Sequence, residues 1–203
     1  MQIRELAVRD AYEIVPVQWR DERGVFLEHF KAAELEAVTG RGFVALQANT
    51  SVSRKGVIRG IHFADSPPGQ AKYVSVIRGA GIDFIVDIRV GSPTFGQWDS
   101  VLLDADTRSS VFLSEGLGHA FVALTDDATL SYLVSQQYNP GAEHDLNVLD
   151  PEIALVFPPE LGEPVLSAKD VAAPTLAQLR ERGQLPDWDS LRSYYDTGRW
   201  DGN

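Results

Sequence analysis

Between Gln47 and Ser135 the chain is a succession of short β-type runs, each stopped by Gly, Pro or Asp before a helix of ordinary length could form. Lys72–Arg78 reads KYVSVIR and Ile82–Arg89 reads IDFIVDIR. In the second, Ile82, Phe84, Val86 and Ile88 fall on one face and Asp83, Asp87 and Arg89 on the other. That alternation predicts a half-buried strand. Gly79-Ala80-Gly81 between the two runs predicts a tight hairpin. Further runs occupy 100–103, 110–113, 119–124 and 129–135, with a turn at Asp126-Asp127 before the last. Many short strands at this spacing predict a mainly β protein, a sandwich or jelly-roll barrel, because such strands bury their apolar faces only by closing two sheets on each other.

Helical signals are few and peripheral. KAAELEAVT (31–39) ends at Gly40, a residue that readily takes the left-handed cap, and TLAQLRER (175–182) starts at Thr175 and stops before Gly183. After Tyr138 the pattern gives way to loop, including FPPELGEP (157–164). The tail carries Trp188, Tyr194, Tyr195 and Trp200, which would dock on the chain's own barrel or on a partner subunit. The expected organisation is one domain over 1–203, with a barrel core at about 45–140 and a loop-and-helix extension at 141–203.

Composition narrows the function. The net charge of −11 opposes binding to nucleic-acid phosphates but leaves room for one small phosphorylated ligand at a local cluster of Arg and Lys. No apolar run reaches the ~18 residues of a membrane span, and MQIRELAVRD lacks the apolar stretch of a secretion signal. There is no cysteine, so disulfides and thiolate metal sites are excluded and a reducing, cytoplasmic setting is expected.

Four histidines, His29, His62, His119 and His144, are the first residues to weigh for chemistry. Barrels of this kind often hold a metal on paired histidines, yet no two of the four stand two or four residues apart. The spacing therefore argues against a metal, although ligands can converge from distant strands. RGIHF (59–63) is the densest segment. Strict alternation would put Arg59 and His62 on opposite faces, so an irregularity at Gly60 is predicted to turn both inward. Taken singly, His62 or His119 could equally be a buried histidine bonded to backbone, Tyr132 a core aromatic, and Asp170 a solvated acid. Asp21-Glu22-Arg23-Gly24 reads as a turn, with Arg23 offered to a phosphate or held in a surface ion pair.

The ordered set is more specific than its parts. QANTSVSRKGVIRGIHF (47–63), PPGQAKYVSVIRGA (67–80), DIRVGSPTFGQWDSVLL (87–103) and SEGLGHAF (114–121) closely resemble the dTDP-4-dehydrorhamnose 3,5-epimerase family. The resemblance extends to DERGVF (21–26), YLVSQQYNP (132–140), LDP (149–151), SAKDVAAPTL (167–176) and LP (185–186), across almost the whole chain. It implies a cupin-type jelly roll, typically a homodimer with strand exchange near the N-terminus, acting on a dTDP-sugar without metal or redox cofactor. By the same resemblance His62 is the general base, Asp170 its partner, Tyr132 the proton donor and Lys72 the group beside the C4 oxygen. His119 is a second active-site histidine. Arg59, Gln47 and Asn49 contact sugar and phosphate, Arg23, Phe26 and Glu28 the nucleotide side, and Tyr138, Glu143 and Lys169 the nucleotide. Many members carry Gln or Glu two residues after the base; here Ala64 stands there, followed by PPGQAK, as in a branch of the family.

These residue types suit the implied chemistry. A ketone at C4 acidifies the hydrogens at C3 and C5, and inversion needs a base on one face, an acid on the other and a fixed cation at the enolate oxygen. Three other readings stay open on sequence: inversion at C3 or C5 only, as in antibiotic deoxysugar pathways; a non-catalytic sugar-nucleotide-binding barrel; and a metal-dependent cupin.

Overall fold

The structure, a computed structural model, describes residues 1–197. Trp200 of the aromatic tail lies outside the described residues. In chain order the strands are β1 (Gln2–Glu5), β2 (Ala11–Val15), β3 (Gln18–Asp21), β4 (Gly24–Leu27), β5 (Gln47–Ser53), β6 (Ile58–Ala64) and β7 (Lys72–Arg78). They continue as β8 (Ala80–Asp87), β9 (Trp98–Asp104), β10 (Ser110–Leu113), β11 (Leu117–Ala123), β12 (Ala128–Val134) and β13 (Glu143–Asp145). Among the described residues four short α-helices flank them: α1 (Ala32–Thr39), α2 (Ala168–Val171), α3 (Leu176–Glu181) and α4 (Trp188–Thr197). None among the described residues is long and apolar enough to cross a membrane.

One antiparallel sheet runs β1-β2-β10-β7-β12-β5 and a second runs β13-β6-β11-β8-β9. Alternate residues of each sheet meet between them: Val74, Val76, Leu113 and Leu130 from the first pack with Ile85, Leu103, Leu117 and Phe121 from the second. This is the expected jelly-roll barrel, mainly β with short peripheral helices. Parts of both outer faces are covered as well. Ile61, Phe63, Phe84, Val86 and Ile88 pack beneath Leu146, Val148, Ile153, Leu176 and Leu179 of the C-terminal extension. Tyr12, Tyr73 and Phe112 pack beneath Leu35 and Phe43 of the segment containing α1.

That double cover overturns the half-buried reading of 82–89. Asp83, Asp87 and Arg89 are each fully buried. They point away from the apolar outer face, and the charges of Asp87 and Arg89 are matched within the fold. Arg89 donates to both oxygens of Asp87 and to Oδ2 of Asp10 at 2.8–2.9 Å, and the ring of Trp188 covers its guanidinium.

The Gly79-Ala80-Gly81 hairpin is also corrected. β7 and β8 belong to different sheets, so this segment is the corner at which the chain crosses the barrel. Gly79 has φ +74°, and a Cβ on Gly81 would overlap the Phe121 ring. The glycines are there for a close approach between layers, which a hairpin signal resembles in sequence. Strands β1 to β4 and β13 escaped the sequence reading. So did helices α2 and α4, whereas the two predicted helices are present: Gly40 caps α1 in the left-handed conformation, and Thr175 and Gln178 form a reciprocal capping box on α3. In the tail, Tyr195 docks on the chain itself, its hydroxyl 3.1 Å from Oε2 of Glu115 and its ring under the Arg41 guanidinium.

Candidate active site

The barrel encloses an inner chamber of about 140 Å³ that opens into a wider cavity of about 440 Å³. His62, Lys72 and Tyr132 line both. They come from different strands and, in the case of His62 and Tyr132, from opposite sheets.

β6 brings two residues inward by breaking its register. His62 pairs with His119 and Arg59 with Phe121, so three steps along β6 match two along β11. Gly60, at the break, has φ +107°, and a Cβ there would sit 2.3 Å from the His119 carbonyl oxygen. Only glycine fits. Arg59 and His62 consequently both line the inner chamber, as the irregular pairing predicted.

His62 Nε2 lies 2.9 Å from Oδ1 of Asp170. Asp170 is buried in α2, and Ser167 holds its other oxygen: the Ser167 hydroxyl donates to Oδ2 at 2.7 Å. Burial alone would push the Asp170 carboxyl up, but the hydrogen bonds from His62 and Ser167 prevail and hold it below the usual carboxylate range. An ionised Asp170 can only accept, so Nε2 keeps its hydrogen and donates it to Oδ1, which leaves Nδ1 as the nitrogen with a free lone pair. Asp145, which the sequence reading did not single out, adds a second carboxylate 3.6 Å from Nε2. Its own counter-charge is Lys169, at 2.9 Å.

Across the chamber Tyr132 stands on β12, paired with Asn49 on one side and Val74 on the other. Burial raises the pKa of its phenol, so it stays protonated throughout the neutral range. Lys72 is buried on β7. Burial draws its pKa down, and the nearby Glu143 and Asp83 oppose that effect. His119 is buried beside His62 and bonds Oδ1 of Asp83 at 2.7 Å. This arrangement can take a proton from one face of a bound ring, give one to the other face, and offer an ammonium to an oxygen between them.

The expected binding residues divide into two groups. Gln47, Asn49, Tyr138, Glu143 and Lys169 line the wider cavity, together with Gln70, which the sequence reading did not pick out. Arg23, Phe26 and Glu28 are not brought to the chamber within one chain. Arg23 and Phe26 lie on the β3–β4 ribbon, which hydrogen-bonds to neither large sheet. Arg23 pairs with Asp21 at 2.6 Å, Phe26 packs on Trp19, and Glu28, just past the ribbon, pairs with Lys31. Arg23 and Phe26 border a separate surface cleft.

The histidine spacing argued against a metal, yet three ligand atoms do converge. One atom each of His62, Asp145 and Asp170 lies within 4.8 Å of the others, from three separate elements that spacing along one strand could not reveal. The Lys169 ammonium already supplies positive charge to this cluster.

Comparison with known proteins bears on what the pocket does. The sequence pattern described as dTDP-4-dehydrorhamnose 3,5-epimerase matches residues 5–178. A dTDP-4-dehydrorhamnose 3,5-epimerase of Mycolicibacterium smegmatis is 50% identical over 98% of both chains. The RmlC epimerase structure of Mycobacterium tuberculosis superposes with a TM-score of 0.95 at 45% identity, covering 98% of this chain and 100% of that one. The structure of ChmJ, a 3′-monoepimerase from Streptomyces bikiniensis in complex with dTDP-quinovose, gives a TM-score of 0.90 at 44% identity, covering 94% and 96%.

Proposed function

The chain belongs to the dTDP-4-dehydrorhamnose 3,5-epimerase family, and from that membership and the pocket geometry we propose that it is an isomerase acting on dTDP-4-dehydro-6-deoxy-D-glucose. It inverts C3 and C5 to give dTDP-4-dehydro-L-rhamnose. His62, with Asp170 behind it, removes a proton from the carbon next to the C4 ketone. Lys72 faces the oxygen on which negative charge develops, where a fixed ammonium in a secluded site is worth far more than in water. Tyr132 returns a proton from the opposite face; an enolate carbon is basic enough to take it from a phenol. His119, held by Asp83, lines the same chamber and contacts the sugar.

The diphosphate must be bound against a net charge of −11. Arg59 and Lys169 supply local positive charge at the chamber and its mouth. Gln47, Asn49 and Glu143 position the nucleotide sugar, and Tyr138 stacks on the base. Arg23, Phe26 and Glu28 complete the nucleotide side in a homodimer whose N-terminal segments are exchanged, each ribbon serving the partner's cavity. Residues 1–203 act as one such domain, working in the cytoplasm, and the reaction needs no cofactor because the substrate arrives already oxidised at C4.

The observation that carries this reading is that an imidazole and a phenol from opposite sheets line one chamber with a buried ammonium. The test is incubation with dTDP-4-dehydro-6-deoxy-D-glucose and identification of the product by NMR. Conversion by the wild type, and its loss in His62→Asn with dTDP binding kept, supports an enzyme over a binding barrel. A second reading, inversion at C3 alone, is favoured by the similarity to the 3′-monoepimerase; a product changed at C3 only would select it.

A further inference from the structure

Strand β5 shows the barrel interior an unusual face. Gln47, Asn49, Ser51 and Ser53 lie opposite Val134, Tyr132, Leu130 and Ala128 of β12 and share their side of the sheet. Leu130 and Ala128 belong to the apolar core between the sheets. A wholly polar stripe in that position needs a partner for each group. Three have one. Gln47 donates to Oδ1 of Asn49 at 2.7 Å and accepts from the Tyr138 backbone N–H at 3.0 Å. Ser53 accepts from Nε of Arg59 at 3.0 Å. The Ser51 hydroxyl is buried with no partner among the described residues, and Ser51 lines the inner chamber with Arg59, Lys72 and Tyr132.

We infer that Ser51 is a specificity-determining residue that hydrogen-bonds the 2-hydroxyl of the hexose. This rests on the epimerase reading above. A 4-keto-6-deoxyhexose has two ring hydroxyls, at C2 and C3. The 3-hydroxyl sits on a carbon that is inverted, so it swings between equatorial and axial as the reaction proceeds. Ser51 has one short rotatable side chain on a strand fixed between Asn49 and Ser53, and it cannot follow that swing. The 2-hydroxyl sits on a carbon at which no bond is broken, so Ser51 can hold it through the proton transfers. A contact that is the same in the ground and transition states contributes to binding and leaves the chemical step alone. Ser51 therefore acts in KM, whereas His62, Tyr132 and Lys72 act in kcat.

The test compares wild type and Ser51→Ala on the dTDP-linked 4-keto-6-deoxyhexose and on its 2-deoxy counterpart, by KM, or by Ki where turnover is slow. Loss of one neutral hydrogen bond in an enclosed site predicts a KM for the hydroxylated sugar raised about tenfold with kcat within about twofold. On the 2-deoxy sugar the two proteins should be equal. An equal loss on both sugars would make Ser51 a structural residue, and unchanged KM on the hydroxylated sugar would show no contact; either overturns the assignment alone. A wild type that turns over neither sugar overturns the epimerase reading and the Ser51 assignment with it.

Discussion

His62 and Asp170, 108 residues apart in sequence, meet at 2.9 Å between Nε2 and Oδ1. The contact joins the barrel wall to the C-terminal extension, because Asp170 sits in α2 while His62 sits on β6. The extension therefore does more than cover the outer face of the five-stranded sheet. It supplies the carboxylate that selects which imidazole nitrogen is free to accept a proton.

Replacing Asp170 by Asn keeps the shape of the pair but removes the charge that stabilises an imidazolium. General-base steps typically contribute about 10²–10⁴-fold, so Asp170→Asn should lower kcat by at least about 10²-fold with little change in dTDP affinity. Steady-state kinetics paired with calorimetric binding of dTDP checks this. Unchanged kcat would show that the Asp170 carboxylate is not needed.

Tyr132→Phe separates the two proton transfers. His62 still takes the proton, but the opposite face has lost its donor, so the base returns what it removed. The expected outcome in deuterated water is label entering unreacted substrate while inversion falls by about 10²-fold or more. Inversion at the wild-type rate would remove Tyr132 from the reaction.

Lys72→Met keeps most of the side chain's volume and deletes the ammonium. If Lys72 stabilises the C4 oxyanion, kcat should fall about 10²–10³-fold, the cost of removing one preorganised donor. Thermal unfolding should show no loss of stability, since a buried cation is replaced by an apolar chain of similar length. A change in KM with kcat preserved would instead assign Lys72 to binding.

Tyr195, which does not line the cavity, gives the fold a pH dependence of its own. Burial, and next the Glu115 charge, push its phenol well above the ordinary value. Below about pH 10 both folded and unfolded chains keep the proton and its stabilising effect is complete. As pH climbs above that value the unfolded chain ionises while the folded one resists, so stability falls. Tyr195→Phe should cost about 1 kcal/mol at neutral pH through the lost Glu115 bond and flatten the alkaline decline. Urea midpoints from pH 8 to 11 measure both effects.

What was legible in the sequence followed physical scale. Period two in 72–78 and 82–89 located strands, and the break at Gly60 foretold that Arg59 and His62 would share a chamber. Alternation could not reveal which face was interior. Asp83 and Arg89 looked solvent-facing because their partners, His119 and Asp10, lie 36 and 79 residues away. Gly79 to Gly81 looked like a hairpin because a sheet-to-sheet corner asks for the same small residues. Asp145 and Ser51 carried no local signal at all. Each matters only through groups that the closed barrel brings to it.

The central claim is proton exchange next to the C4 ketone by His62 and Tyr132. NMR of dTDP-4-dehydro-6-deoxy-D-glucose incubated with the purified protein in deuterated water tests it most directly. Deuterium at C3 and C5 of an inverted product is predicted, with none in His62→Asn; protium retained at both carbons by the wild type would contradict the account.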